Sequence, residues 1–156
     1  MTVATALWIV VSDIIAWGIC HYAISYLCLK MPVSFFEKDG RWFRIASWER
    51  DGALWNQLVS VKRWKDLLIE GSSIVKQSYN KRYLHGTTRD ALTRFAAETK
   101  RAELTHWLLI VPAPVFFLWN PVWAGWVMIG YALLANVPFI LIQRYNRARI
   151  KVILAR

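Results

Sequence analysis

Residues 98–119 read ETKRAELTHWLLIVPAPVFFLW, five ionisable side chains delivered straight into an apolar run. Directly behind them WNPVW (119–123) carries no charge, and Val122 to Ile142 is apolar over the full ~20 residues a membrane crossing needs. Two apolar segments joined by a two- or three-residue uncharged turn predict a helical hairpin. The first arm, about Thr105 to Trp119, is short and holds Pro112 and Pro114. Proline removes a backbone donor, so this arm is expected to bend, to begin further upstream, or to be re-entrant.

A third apolar segment, Val3 to Leu29, would be ~40 Å long as a helix, more than the ~30 Å hydrocarbon core requires. It lacks a basic leader region and a small-residue cleavage site, and reads as a retained anchor. The chain of 156 residues has the length of one domain. Its 56% hydrophobic content exceeds the usual soluble balance, and its ten Trp suit rings lying at headgroup level. The net charge of +10 fits an anionic membrane face better than nucleic acid once the apolar runs are counted. Cys20 and Cys28 would lie roughly 12 Å apart on a helix, too far for a disulfide.

Fifteen of the twenty Lys and Arg fall within residues 30–104 and the other five within 144–156. The positive-inside rule then places the central region and the C-terminus in the cytoplasm, with the N-terminus and hairpin tip outside. The fold expected is an all-α integral membrane protein of the bacterial cell membrane, one multi-pass domain over 1–156. It comprises span 1 (3–29), a cytoplasmic or interfacial region (30–104), span 2 (105–119), span 3 (122–142) and a basic tail (143–156).

Within the central region, ERDGALWNQLVSVKRWKDLLIEG (49–71) spaces Leu54, Leu58, Val61, Trp64, Leu67 and Leu68 as a helix would. Lys62, Arg63, Lys65 and Asp66 fall mainly on the other side. Such a helix lies in the membrane interface or packs on the chain's own spans, and the pattern admits both. MPVSFFEKDGRWFRIASW (31–48) mixes aromatic and basic residues around an Asp39-Gly40 turn signal, as an interfacial loop or hairpin would.

At about 100° per residue, Thr99, Glu103, His106 and Ile110 share one helical stripe. Glu103 and His106, three apart, are expected to touch, the carboxylate fixing the imidazole tautomer as a general base requires. Lys100 and Arg101 point elsewhere, as interfacial anchors or toward phosphates of lipid or donor. On span 3, Asn136, Gln143 and Arg147 share a second stripe. Asn136 would bond His106, a substrate carbonyl, or simply another helix at ~0.6 kcal/mol. Arg144, Arg147, Arg149 and Lys151 also read as positive-inside anchors. Asp13 and His21 lie on a similar face of span 1, and His85-x4-Asp90 has the spacing of a His base oriented by Asp. Glu103-x-x-His106 is half of a di-iron signature whose second copy is missing, so no metal site is expected.

ETKRAELTHW, ANVPFILIQRYNRARI, ERDGALWN and VKRWKDLLIEG together resemble the glycosyl-diaponeurosporenoate acyltransferases, which complete staphyloxanthin-type carotenoid pigments in Gram-positive bacteria. The resemblance runs from LKMP (29–32) to Ile150. It implies an integral membrane enzyme that transfers a fatty acyl chain to a primary hydroxyl of the sugar on a glycosylated C30 carotenoid. Glu98, Lys100, Arg101, Glu103, His106, Asn136, Gln143, Arg144, Tyr145, Asn146, Arg147, Trp55 and Asn56 occupy family-motif positions. Asp13, His21 and the His85/Asp90 spacing lie outside those motifs.

Acyl transfer to an alcohol needs a base and an oxyanion donor. His106 beside Glu103 is the expected base, and Asn136 or Arg101 the expected oxyanion donor. No G-x-S-x-G elbow is present, which favours direct transfer over an acyl-enzyme. Lys62, Arg63, Lys65, Arg144 and Arg147 would hold the phosphates of an acyl-CoA donor. No cofactor is expected beyond that donor substrate. The expected partners are membrane lipid, a glycosylated carotenoid or glycolipid acceptor and the donor, with a homodimer able to complete a pocket and no nucleic acid. The rival readings are a non-catalytic lipid- or pigment-binding protein and an enzyme of other transfer chemistry, such as a membrane methyltransferase.

Overall fold

A computed structural model describes residues 2–38, 40–65 and 88–155. Helix α1 (Val3–Lys30) starts at Thr2, whose side chain accepts from the Thr5 N–H, and ends at Met31. A short helix α2 (Val33–Glu37), a 3-10 turn (Arg41–Phe43) and a longer 3-10 stretch (Ser47–Gly52) lead into α3 (Ala53–Val59) and α4 (Val61–Trp64). Helix α5 (Arg89–Ile110) is capped by the Thr88 hydroxyl. A 3-10 segment (Ala113–Leu118) then turns the chain into α6 (Val122–Leu154). The described residues form helices and connecting turns.

Among the described residues two helices are long and apolar enough to cross a membrane, α1 and α6. The second segment, expected from its prolines to bend, begin upstream or be re-entrant, is interrupted at Pro112. Residues 105–119 comprise the last turns of α5 and, past Pro112, the 3-10 segment. Pro112 offers no N–H to an α-helical ladder and its ring crowds the preceding turn, so α5 stops before it. The hairpin itself is present: α5 and the 3-10 segment pack on α6 about the turn at Asn120–Pro121.

Among the described residues, many large apolar side chains are exposed while several ionisable and polar ones are buried. Val3, Leu7, Trp8, Ile14, Ile19 and Leu27 are exposed on α1, and Val122, Trp126 and Leu134 on α6. Asp13, Glu103, Asn136, Gln143 and Arg147 are buried. That inversion suits a lipid solvent, in which ionisable side chains face the bundle. Asp13 lies level with the hairpin tip, and Met31 level with Arg101. The helical rise between Asp13 and Met31 is ~27 Å, close to the ~30 Å hydrocarbon thickness.

Packing divides into two apolar zones with a polar seam between them. Toward the tip, Trp17 stacks on Phe116 with ring centroids 4.6 Å apart and packs with Ala113 and Ala132. Small residues permit this approach. A Cβ at Gly125 would stand 2.5 Å from the Phe117 ring, so only glycine fits there. At the other end Leu92 and Phe95 of α5 pack on Ile150 of α6.

The single amphipathic helix expected over 49–71 is broken instead. Arg50 (φ 48°), Asp51 (φ 53°) and Gly52 (φ 86°) are left-handed, and Ser60 (φ 50°) separates α3 from α4. Residues 66–71, and His85 of the His85/Asp90 pair, lie outside the described residues. In 31–48 the aromatic and basic residues form α2 and the 3-10 turn rather than a hairpin.

Candidate functional site

The α5 stripe of Thr99, Glu103 and His106 faces the α6 stripe of Asn136, Gln143 and Arg147, as their helical spacing predicts. Glu103, Asn136, Gln143 and Arg147 are each at most 4% exposed. What the structure changes is the pairing. Both oxygens of Glu103 accept from arginines: Oε1 from Arg144 Nη1 at 2.8 Å, and Oε2 from Arg147 Nη2. The expected Glu103–His106 contact therefore gives way. Two guanidinium groups, always charged and rich in donors, outcompete a neutral imidazole for a carboxylate.

His106 instead meets Asn136, its Nδ1 lying 2.9 Å from Asn136 Oδ1. The amide orientation follows from its other end, where Asn136 Nδ2 donates to the Ala132 carbonyl at 2.8 Å. A carbonyl only accepts, so the amide nitrogen must face it and the oxygen must face the imidazole. An amide oxygen likewise only accepts, so Nδ1 carries a proton, which in the neutral ring places the lone pair on Nε2. Phe139 stacks on the imidazole, with centroids 4.8 Å apart and planes 7° from parallel. Ring plane and tautomer are both set by α6. These contacts make Asn136 a positioning residue for the imidazole, and the second N–H of its amide remains for the expected oxyanion role.

Arg144, read from sequence as an anchor or as a holder of the donor's phosphates, joins three parts of the chain. It donates from Nε to Glu49 Oε2 at 3.0 Å and from Nη2 to Glu49 Oε1, while Nη1 reaches Glu103. Glu49 is fully buried and also accepts from the Ala46 N–H and the Trp55 indole, each at 2.8 Å. Burial alone would raise the Glu49 carboxyl. The hydrogen bonds from Arg144, Ala46 and Trp55, with the Arg144 charge, outweigh it and hold the group below its usual range.

Glu49 is the site residue that the sequence reading missed. It is presented by the left-handed turn through Arg50–Gly52, which lies flat on α6: a Cβ at Gly52 would stand 3.2 Å from Ala148 Cβ. The available signal was the Asp51-Gly52 pair directly before a helical pattern, a second turn signal beside the one read at Asp39-Gly40.

The other expected residues divide between bracing and surface. Lys100 Nζ donates to the Lys38 carbonyl at 3.1 Å, and Arg101 Nη2 to the Met31 carbonyl at 2.9 Å. Arg101 also pairs with Glu98 at 3.0 Å and lies over the Phe36 ring. These side chains tie α5 to the α1–α2 connection. Asn56 Oδ1 accepts from the Lys62 N–H at 3.2 Å and closes the α3–α4 corner. The Lys65 ammonium lies 5.9 Å from the Tyr145 ring centroid, and Asn146 is half-buried. Lys62 and Arg63 are exposed, while Arg144 and Arg147 are turned inward onto Glu49 and Glu103. Arg149 and Lys151 are exposed, as anchors would be.

At the far end, Asp13 Oδ1 accepts from the Trp119 indole and the Asn120 amide, each at 2.8 Å, fastening the hairpin tip to α1. His21 lies against Trp17, with centroids 5.8 Å apart. Among the described residues no three His, Cys, Asp or Glu gather as a metal site requires.

Comparison with known proteins gives a consistent result. The family described as glycosyl-4,4'-diaponeurosporenoate acyltransferase matches residues 39–156. A relative of that name from Staphylococcus haemolyticus is 36% identical over 135 residues, covering 86% of this chain and 78% of its own. Another of that name from Staphylococcus aureus is 34% identical over 134 residues, covering 86% and 81%. No solved structure matches the chain.

Proposed function

Since the chain belongs to the glycosyl-4,4'-diaponeurosporenoate acyltransferase family, we propose that it esterifies a sugar hydroxyl of a glycosylated carotenoid, with His106 as the general base. The observation that carries the assignment is the chain of contacts from the Ala132 carbonyl through Asn136 to His106 Nδ1, which leaves the lone pair on Nε2.

In this reading, Nε2 takes the proton of the sugar hydroxyl as its oxygen attacks the acyl carbonyl. A C–O bond to the sugar forms, the bond from acyl carbon to the donor's sulfur or oxygen breaks, and the imidazolium returns the proton to that leaving group. The donor is an activated fatty acyl thioester or ester, and transfer is direct. Glu103, paired with two arginines of α6, holds α6 against α5 beside the base. The apolar outer faces of α1 and α6 keep the protein, and two greasy substrates, in the same bilayer.

The same reading sets orientation: the hairpin tip faces out, and the ionic seam and Lys/Arg-rich segments face the cytoplasm. The exposed Trp42 and Trp48, beside exposed Arg41, Arg44 and Arg50, rest at the headgroups of that leaflet.

The test is mass spectrometry of purified protein with glycosylated carotenoid acid and a fatty acyl-CoA. A product heavier by one acyl group, lost in folded His106→Ala, is the expected result. Transfer that persists in that variant removes the base. No transfer by folded wild type with thioester or ester donors leaves a protein that only binds such lipids.

A further inference from the structure

The α6 stripe ends in two side chains whose hydrogen-bonding capacity the protein does not use. Gln143 and Arg147 are 2% and 4% exposed and stand about one turn apart on one face of α6. Three of their buried atoms have no partner: Gln143 Oε1, Arg147 Nε and Arg147 Nη1. Arg147 meets Glu103 through Nη2 alone, so its Nε–H, beside that contact, and its Nη1–H groups are unanswered. Leaving such groups unmet weakens a fold, and native proteins keep few of them. Two in adjacent turns, at the Arg147 end of the ionic network, point to a ligand.

The unmet set is mixed, one acceptor and several donors. A carbonyl or a bare anion answers only the donors, and a cation only the acceptor. A hydroxyl answers both, giving its proton to Gln143 Oε1 while its oxygen accepts from Arg147. The location agrees. Gln143 follows Asn136 by ~10 Å along the helix, and helical side chains lean toward the N-terminus, here toward His106. A sugar ring with one hydroxyl at His106 would carry its remaining hydroxyls toward these two residues.

We propose that Gln143 and the unanswered Nε and Nη1 donors of Arg147 form the subsite for the sugar hydroxyls of the acceptor, with Glu103 holding Arg147 through Nη2. The assignment to an acceptor rests on the acyltransferase reading above. Because the three atoms are covered, the α5–α6 seam opens to admit the sugar.

Two variants test this in lipid nanodiscs. Gln143→Met keeps the side-chain length and removes an acceptor that no protein group uses. Arg147→Lys keeps a cation for Glu103 and removes the unanswered donors. For each variant, KM is measured for glycosylated carotenoid acid and for acyl-CoA, and octyl β-D-glucoside binding is followed by saturation-transfer NMR. The acceptor KM is expected to rise about tenfold, ~1.4 kcal/mol, with donor KM unchanged and the glucoside signal lost. Gln143→Met should unfold no earlier than wild type, which a purely structural role would not allow. A rise confined to donor KM, or unchanged KM with glucoside still bound, overturns the subsite. Wild type that transfers acyl groups but gives no glucoside signal removes the subsite and leaves the reaction standing. Wild type that binds glucoside through Gln143 yet transfers nothing keeps the sugar site and removes the reaction.

Discussion

Two carboxylates fasten the α5–α6 hairpin to the rest of the chain, one near each end of the bundle, and they are held by opposite means. At the tip, one oxygen of Asp13 accepts from two neutral donors, the Trp119 indole and the Asn120 amide. At the other end, Glu103 accepts from Arg144 and Arg147, and Arg144 turns back to Glu49. The first knot needs an acceptor, and a neutral oxygen would serve. The second needs charges of both signs, because removing Arg144 leaves Glu49, and removing Glu103 leaves Arg147, buried without its hydrogen-bonded counter-ion. Only the second lies one turn from His106. The demanding knot thus sits where the proposed chemistry needs rigidity, and the tolerant one where the chain needs a fastening.

The difference is open to attack by substitution. Arg144→Met should be the most damaging single change, since it leaves Glu49 wholly without a cation and Glu103 with only Arg147. A loss of ~3–5 kcal/mol is expected in thermal unfolding in detergent, with acyl transfer abolished. A loss below 1 kcal/mol would mean that the network is solvated and that the contrast fails.

Acidification sharpens the same point. Glu49 is held below its ordinary value of 4.5, so its folded form binds fewer protons than its unfolded form. Its contribution is complete above pH 4.5 and is lost as pH falls through the lower folded value. Wild type should therefore lose stability steeply at the acid end of a pH series, and Glu49→Gln, weaker at neutral pH, should show a flatter profile there. Parallel profiles would contradict the ionic account.

The smallest effect is expected at the tip. Asp13→Asn keeps an oxygen able to accept from Trp119 and Asn120, and should lower stability by only about 1 kcal/mol with acyl transfer retained. A defect as large as that of Arg144→Met would erase the distinction between the knots.

Much of this was legible in the sequence. Length and apolarity located α1 and α6, the uncharged WNPVW located the turn, and a 100° step brought Glu103 and His106 opposite Asn136, Gln143 and Arg147. Partner choice was not legible. The i,i+3 spacing favoured Glu103–His106, but the arginines that displace His106 lie more than forty positions away in sequence. Glu49 was hidden for the same reason, since its partner Arg144 is 95 residues distant. The broken helix in 49–71 turns on positive φ at Arg50, Asp51 and Ser60, residue types that also sit comfortably in helices. Pro112 announced a bend, but not that α5 would end before it and leave two long apolar helices instead of three.

The most direct measurement is a double-variant cycle on acyl transfer with His106→Ala, Asn136→Leu and both together. If Asn136 acts only by fixing the imidazole, the double variant should be no slower than His106→Ala alone, because the second change removes support for a base already gone. Losses that multiply would show Asn136 acting on substrate independently, and would contradict the assignment of His106 as a base poised by α6.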